Sequence, residues 1–78
     1  MTREDVHLLQ QNIGRAVRLR CTDGEIIVAK VDTVDEGDGE IIYEMLSTTD
    51  ESKYEKFDRQ PAYLIHFHEI AGVEPVAD

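Results

Sequence analysis

Apolar and polar positions alternate through residues 17–22, where Val17, Leu19 and Cys21 share one face and Arg18, Arg20 and Thr22 share the other. A period of two places one face of a strand in a core and leaves the other in water. Beyond Asp23-Gly24, the run Ile26, Ile27, Val28, Ala29 loses the alternation, which predicts a strand covered on both faces or interrupted by a bulge. Asp-Gly supplies the positive φ angles of a two-residue hairpin turn. The pattern therefore predicts strands over about 15–22 and 25–34, joined as a hairpin with the second strand deep in the sheet.

Upstream, the period changes. Val6, Leu9 and Ile13 fall at helical spacing with Leu8 widening the stripe, Thr2 and Asp5 stand at capping-box spacing, and Gly14 ends the run. These features predict an amphipathic helix over about 3–12, packed on one open end of the sheet. Downstream, residues 35–40 combine glycines with acids as a surface turn, and alternation returns over about 40–47, with Ile41, Tyr43 and Met45 on one face. The next segment, 47–60, is polar and aperiodic, with Tyr54 and Phe57 available to pin it. Pro61 opens a fourth strand over about 61–69; Glu69-Ile70-Ala71-Gly72 predicts a single helical turn, and a short last strand over about 73–76 is blunted by Pro75.

This order resembles the Sm-like family within the wider group of small SH3-like barrels. The residues that carry the resemblance are Leu8-Leu9 and Ile13-Gly14 at the helix end, then Arg15-Ala16-Val17-Arg18-Leu19, then Asp23-Gly24 heading a long strand that reaches Asp32. The stretch from Ile65 through His68-Glu69 to Pro75 is similar to the closing strand, turn and strand of bacterial SH3-like modules. The resemblance implies a mainly β fold: a small, strongly bent, five-stranded SH3-like (Sm-like) barrel with an N-terminal α-helix, spanning 1–78 as one domain. Sm-like proteins form rings, and many bind uridine-rich RNA through an Asp and Asn after the second strand and an Arg-Gly pair between the fourth and fifth. Here Asp32 and Asp35 stand without an Asn, and His68-Glu69-Ile70-Ala71-Gly72 contains no Arg. The resemblance thus implies the barrel and the ring, with RNA binding as an alternative.

Composition narrows the function classes. A chain of 78 residues buries only roughly 60–65% of its unfolded surface, so a homo-oligomer that enlarges the core is expected. The net charge of −9 opposes nucleic acid and anionic membrane, since phosphate binding draws on clustered bases. Residues 1–20 nevertheless hold Arg3, Arg15, Arg18 and Arg20 against Glu4 and Asp5, while Asp32, Asp35, Glu36, Asp38, Glu40 and Glu44 follow Lys30 with no base among them. A basic face formed by Arg15, Arg18 and Arg20 would meet an acidic loop of Asp35, Glu36 and Asp38 in head-to-tail contact between copies. The single Cys21 excludes an internal disulfide and, with no membrane-length apolar run and no signal-peptide order at the N-terminus, leads to a cytoplasmic expectation.

Candidate chemistry is sparse. There is no glycine-rich phosphate loop, nucleophile elbow or spaced carboxylate pair, so neither catalysis nor a cofactor is expected. His66 and His68, two apart on the predicted strand, offer a divalent metal two ligands on one face, with Glu69 or His7 assisting. The acidic run 35–40 lacks the spacing of a calcium loop. Arg18 and Arg20, which phosphate would also attract, are expected to pair across strands with Glu25 or neighbouring acids. The reading is therefore a non-enzymatic β module for protein interaction or assembly, with RNA binding and metal binding as alternatives.

Overall fold

The architecture comes from a computed structural model that describes residues 1–54 and 62–76. The elements in chain order are α1 (Arg3–Gln11), β1 (Ala16–Cys21), β2 (Ile26–Asp35), β3 (Glu40–Thr48), β4 (Tyr63–His66) and β5 (Ile70–Pro75), with 3₁₀ turns at Glu51–Lys53 and Phe67–Glu69. All five strands join one antiparallel sheet in the order β4-β3-β2-β1-β5. Central β2 pairs with β1 over its first half, Ala16 facing Lys30 and Arg20 facing Ile26, and with β3 along most of its length. The register shifts at Val28/Ala29 and at Val31/Thr33. Each shift sets an extra residue on one strand and bends it, which folds the sheet around its own apolar face.

That face is the core. Val17, Leu19, Ile27, Ala29, Val31 and Ile41 are all at most 1% exposed, and Ile70 and Val73 of β5 close the far side. Burial along β2 does alternate in the structure: Ile27, Ala29 and Val31 are buried, while Ile26 and Val28 are half-buried. The unbroken apolar run in the sequence therefore reflects a second face that is only partly covered. Leu9 is fully buried and anchors α1 over β5 and β2. The helix starts where capping chemistry places it: the Asp5 amide donates to Thr2 Oγ1 and the Thr2 amide donates to Asp5 Oδ2, both at 3.1 Å. Such a reciprocal pair satisfies two donors that a helix start otherwise leaves open. No described helix is long and apolar enough to cross a membrane.

Four expectations need correction. Ile13 does not belong to the helical stripe, because α1 ends at Gln11 and Ile13 lies 51% exposed in the following turn. The hairpin loop holds three residues rather than two: the Cys21 amide donates to Glu25 O and the Gly24 amide to Cys21 O, and only Gly24 of the loop has positive φ, at 95°. With Asp23 at negative φ, the primed turn, which needs positive φ at both central residues, is not formed, and Gly24 closes the longer loop. The fourth strand stops at His66, where the Glu69 carboxylate accepts the His66 amide at 2.9 Å and the Phe67 amide donates to Gly39 O at 2.8 Å. Those bonds turn the chain. The last strand consequently begins at Ile70, and the helical turn expected over residues 69–72 is replaced by a 3₁₀ turn that ends at Glu69, because Ile70, Gly72 and Val73 bury themselves by pairing with β1. Phe57 and Pro61 lie outside the described residues.

Candidate functional site

The buried charged side chain among the described residues is one that strand parity places inside. Glu25 precedes β2 and shares the parity of Ile27, Ala29 and Val31, so its side chain points inward and is 1% exposed. A buried carboxylate survives only when donors replace the lost water. Here Thr48 Oγ1 at the end of β3 donates to Glu25 Oε2, Tyr54 OH donates to the same oxygen at 2.7 Å, and Lys53 Nζ donates to Glu25 Oε1 at 2.9 Å. The Lys53 ammonium also bridges to Asp23 at 2.9 Å. Thr49 adds a backbone clasp, its amide donating to Ile26 O at 3.0 Å while its hydroxyl accepts the Ile26 amide at 2.9 Å. Tyr54 then packs edge-on against Tyr63, which stacks on its cross-strand partner Tyr43.

Electrostatics follow from that geometry. Burial pushes the Glu25 carboxyl up, but donation from Thr48, Lys53 and Tyr54 outweighs it and holds the group below the ordinary value of 4.5. Asp23 is likewise held down, by the Glu25 amide and by Lys53. Lys53 is raised by the two carboxylates it serves. Burial pushes the Tyr43 hydroxyl up to about 12, and burial with the nearby Glu25 and Asp23 pushes the Cys21 thiol up to about 11. A thiol so far from ionising is a poor nucleophile. Cys21, Asp23 and Glu25 bring their ligand-type atoms within 4.8 Å of one another, yet the cation this cluster holds is the Lys53 ammonium. No buried polar side chain among the described residues lacks a partner. The arrangement fastens the segment after β3 onto the β1–β2 hairpin.

The residues singled out in the sequence are dispersed. Arg18 and Arg20 pair with Glu74 of β5, at 3.6 and 3.0 Å, and not with Glu25, because Glu25 points to the opposite face of the sheet. The Arg20 guanidinium reaches Glu74 by crossing buried Gly72, where a Cβ would lie 2.0 Å from its Nη2. Arg15 is exposed and has no ion-pair partner among the described residues. Asp35, Asp38 and Glu40 converge, with Asp35 Oδ1 accepting the Asp38 amide at 3.1 Å. Glu36 turns away to accept from Gln10 of α1, forming one wall of an open groove lined also by Arg3, Val6, His7 and Phe67. His66 and His68 are brought together, but His68 sits in the 3₁₀ turn rather than on the strand; their rings stack at 5.4 Å and 8°.

The sequence reading passed over Thr48, Lys53 and the inward aim of Glu25. The available signal was parity: a glutamate two residues before Ile27 on an inward-facing row requires donors, and residues 48–54 supply hydroxyls and an ammonium. A second feature is apolar. Ile42 and Leu64 oppose each other across β3 and β4 on the outer face and are 36% and 50% exposed, with Leu46 farther along the same face at 52%. This patch borders β4, which ends the sheet on one side among the described residues; β5 ends it on the other.

No protein-family model matches the chain, and a search among curated proteins finds no match. Among solved structures, the chain is similar to the SmAP (LSm) protein from Methanococcus vannielii, with 15% sequence identity, a TM-score of 0.69, and coverage of 94% of this chain and 96% of that one. The likeness is one of fold. It agrees with five antiparallel strands in one bent sheet beneath an N-terminal helix, so the fold resembles that of Sm-like proteins.

Proposed function

We propose that the protein is a non-enzymatic assembly module whose copies join head to tail, the β4 edge of one against the β5 edge of the next. The observation that carries this reading is the exposed aliphatic patch of Ile42, Leu46 and Leu64 beside β4, the terminal strand of the sheet among the described residues. An unpaired strand edge is a template for another strand, and aliphatic side chains beside it add area to be covered on pairing. Charge favours the same direction of contact. Glu40 and Glu44 lie on β3 near one edge, while Arg15, Arg18 and Arg20 lie on or before β1 near the other, with Glu74 offsetting one of the three.

Sedimentation velocity at micromolar concentration tests the reading. The expected result is a discrete oligomer that Leu64→Asp converts to a monomer of unchanged far-UV circular dichroism; a wild-type protein that stays monomeric across that range ends the proposal. RNA binding rests on the fold likeness alone, since Arg18 and Arg20 are engaged by Glu74 and the chain is acidic overall. Filter binding against oligo-uridine at low salt is expected to show no retention.

A further inference from the structure

We infer that His66, His68 and Glu40 form a binding site for a borderline divalent transition-metal ion, of which zinc is the test case. Glu40 and His66 are directly opposed across β3 and β4 on the outer face. His66 Nδ1 lies 3.8 Å from Glu40 Oε2. Two ligand atoms held about 2.0–2.2 Å from a tetrahedral ion stand about 3.3–3.6 Å apart, so this pair is only a few tenths of an ångström too wide. The His68 ring lies 5.4 Å from that of His66, centroid to centroid. In the stacked arrangement the ring nitrogens do not converge on one point. Both rings are exposed, and turning His68 about its side-chain torsions brings a nitrogen toward the gap at the cost of the stacking contact and some rotamer freedom.

The backbone around the site is already held. The Glu69 carboxylate accepts the His66 amide, and the Phe67 amide is bonded to Gly39, next in sequence to Glu40. The start of β3, which carries Glu40, and the turn after β4, which carries His68, are thereby tied to one another. Two imidazoles and one carboxylate select zinc, copper or nickel over calcium and magnesium, which prefer an all-oxygen shell. The net charge of −9 raises the local concentration of cations. A water or a group from another molecule completes the shell.

The test uses the full chain, free of any affinity tag and stripped with chelator, titrated calorimetrically with zinc chloride. One ion per chain is expected, with His66→Gln and His68→Gln each weakening binding by about tenfold or more and Glu40→Gln by a smaller factor. Imidazole NMR signals of the unaltered protein provide a second reading that no folding defect can confuse: those of His66 and His68 should move on zinc addition while those of His7 stay. Undiminished binding in the His66→Gln/His68→Gln double variant overturns the proposal. So does an affinity that follows Asp38→Asn and ignores the histidines, which would locate the ion in the acidic loop, and so does the absence of any histidine shift at millimolar zinc.

Discussion

The two ends of this small sheet handle misplaced polarity in opposite ways. Beside the β1–β2 turn, a carboxylate is buried and accepts from three side-chain donors; beside β4, aliphatic side chains are exposed. The first end is complete within one copy, because Thr48, Lys53 and Tyr54 replace the water that Glu25 loses. The second is the end that the proposed contact between copies would cover. In a domain whose core is small, a polar network that consumes interior space and an apolar surface that is left outside both point to stability being distributed between the chain and its contacts.

The sharpest way to break the contrast is to remove the buried carboxylate. Glu25→Ala should destabilise the fold by about 2–4 kcal/mol, since Thr48 and Tyr54 lose their acceptor and a cavity opens beside Ile27; urea unfolding measures it, and a loss under about 0.5 kcal/mol would mean the network is decorative. Leu64→Asp should instead leave monomer stability within about 0.5 kcal/mol while lowering association at least about tenfold, so equilibrium sedimentation and urea unfolding must respond to the two substitutions in opposite proportion. Acid should separate the ends as well. Glu25 and Asp23 titrate below their ordinary values when folded, so their contribution is present above pH 4.5 and is lost as pH falls through the lowered folded values. The unfolding midpoint should therefore drop between about pH 5 and 3 in the wild type, and less steeply in Glu25→Gln.

Smaller effects lie at the β1–β5 margin. Arg20→Ala should cost at most about 1 kcal/mol, as an exposed pair with Glu74. Gly72→Ala should produce a similar change by pushing the Arg20 guanidinium off its path, since the backbone there has no positive φ and the obstructing atom is the end of a flexible side chain. Agreement between the two variants in thermal melts would identify the glycine as clearance for that arginine. The smallest response is chemical: Cys21, 7% exposed with its thiol pushed up to about 11, should react with a thiol reagent only as fast as the protein opens.

Much of the sheet was legible because its rows are simple. Val17, Leu19 and Cys21 face inward as their alternation predicts, as do Ile41 and Tyr43, and Thr2 with Asp5 builds the expected cap. The end of β4 was not legible, because Tyr63 to His68 keeps an alternating pattern past the point where the Glu69 carboxylate takes the His66 amide and stops the strand. The candidate site was legible only in its parts. His66 and His68 were visible as a pair, but Glu40 became a neighbour of His66 through the β3–β4 register, which turn geometry and bulges determine.

Local chemistry in the sequence by itself determined the helix start, the glycine at the hairpin and the inward rows, since capping, positive φ and side-chain alternation act over a few residues. Only the tertiary structure decided that Glu25 would meet Lys53, that Arg18 and Arg20 would meet Glu74, and that Leu64 would remain outside. Each of those outcomes joins positions far apart in the chain or fails to cover one. The physical reason is that a charge or a methyl group acts at contact distance, and contact distance is set by which strands lie side by side.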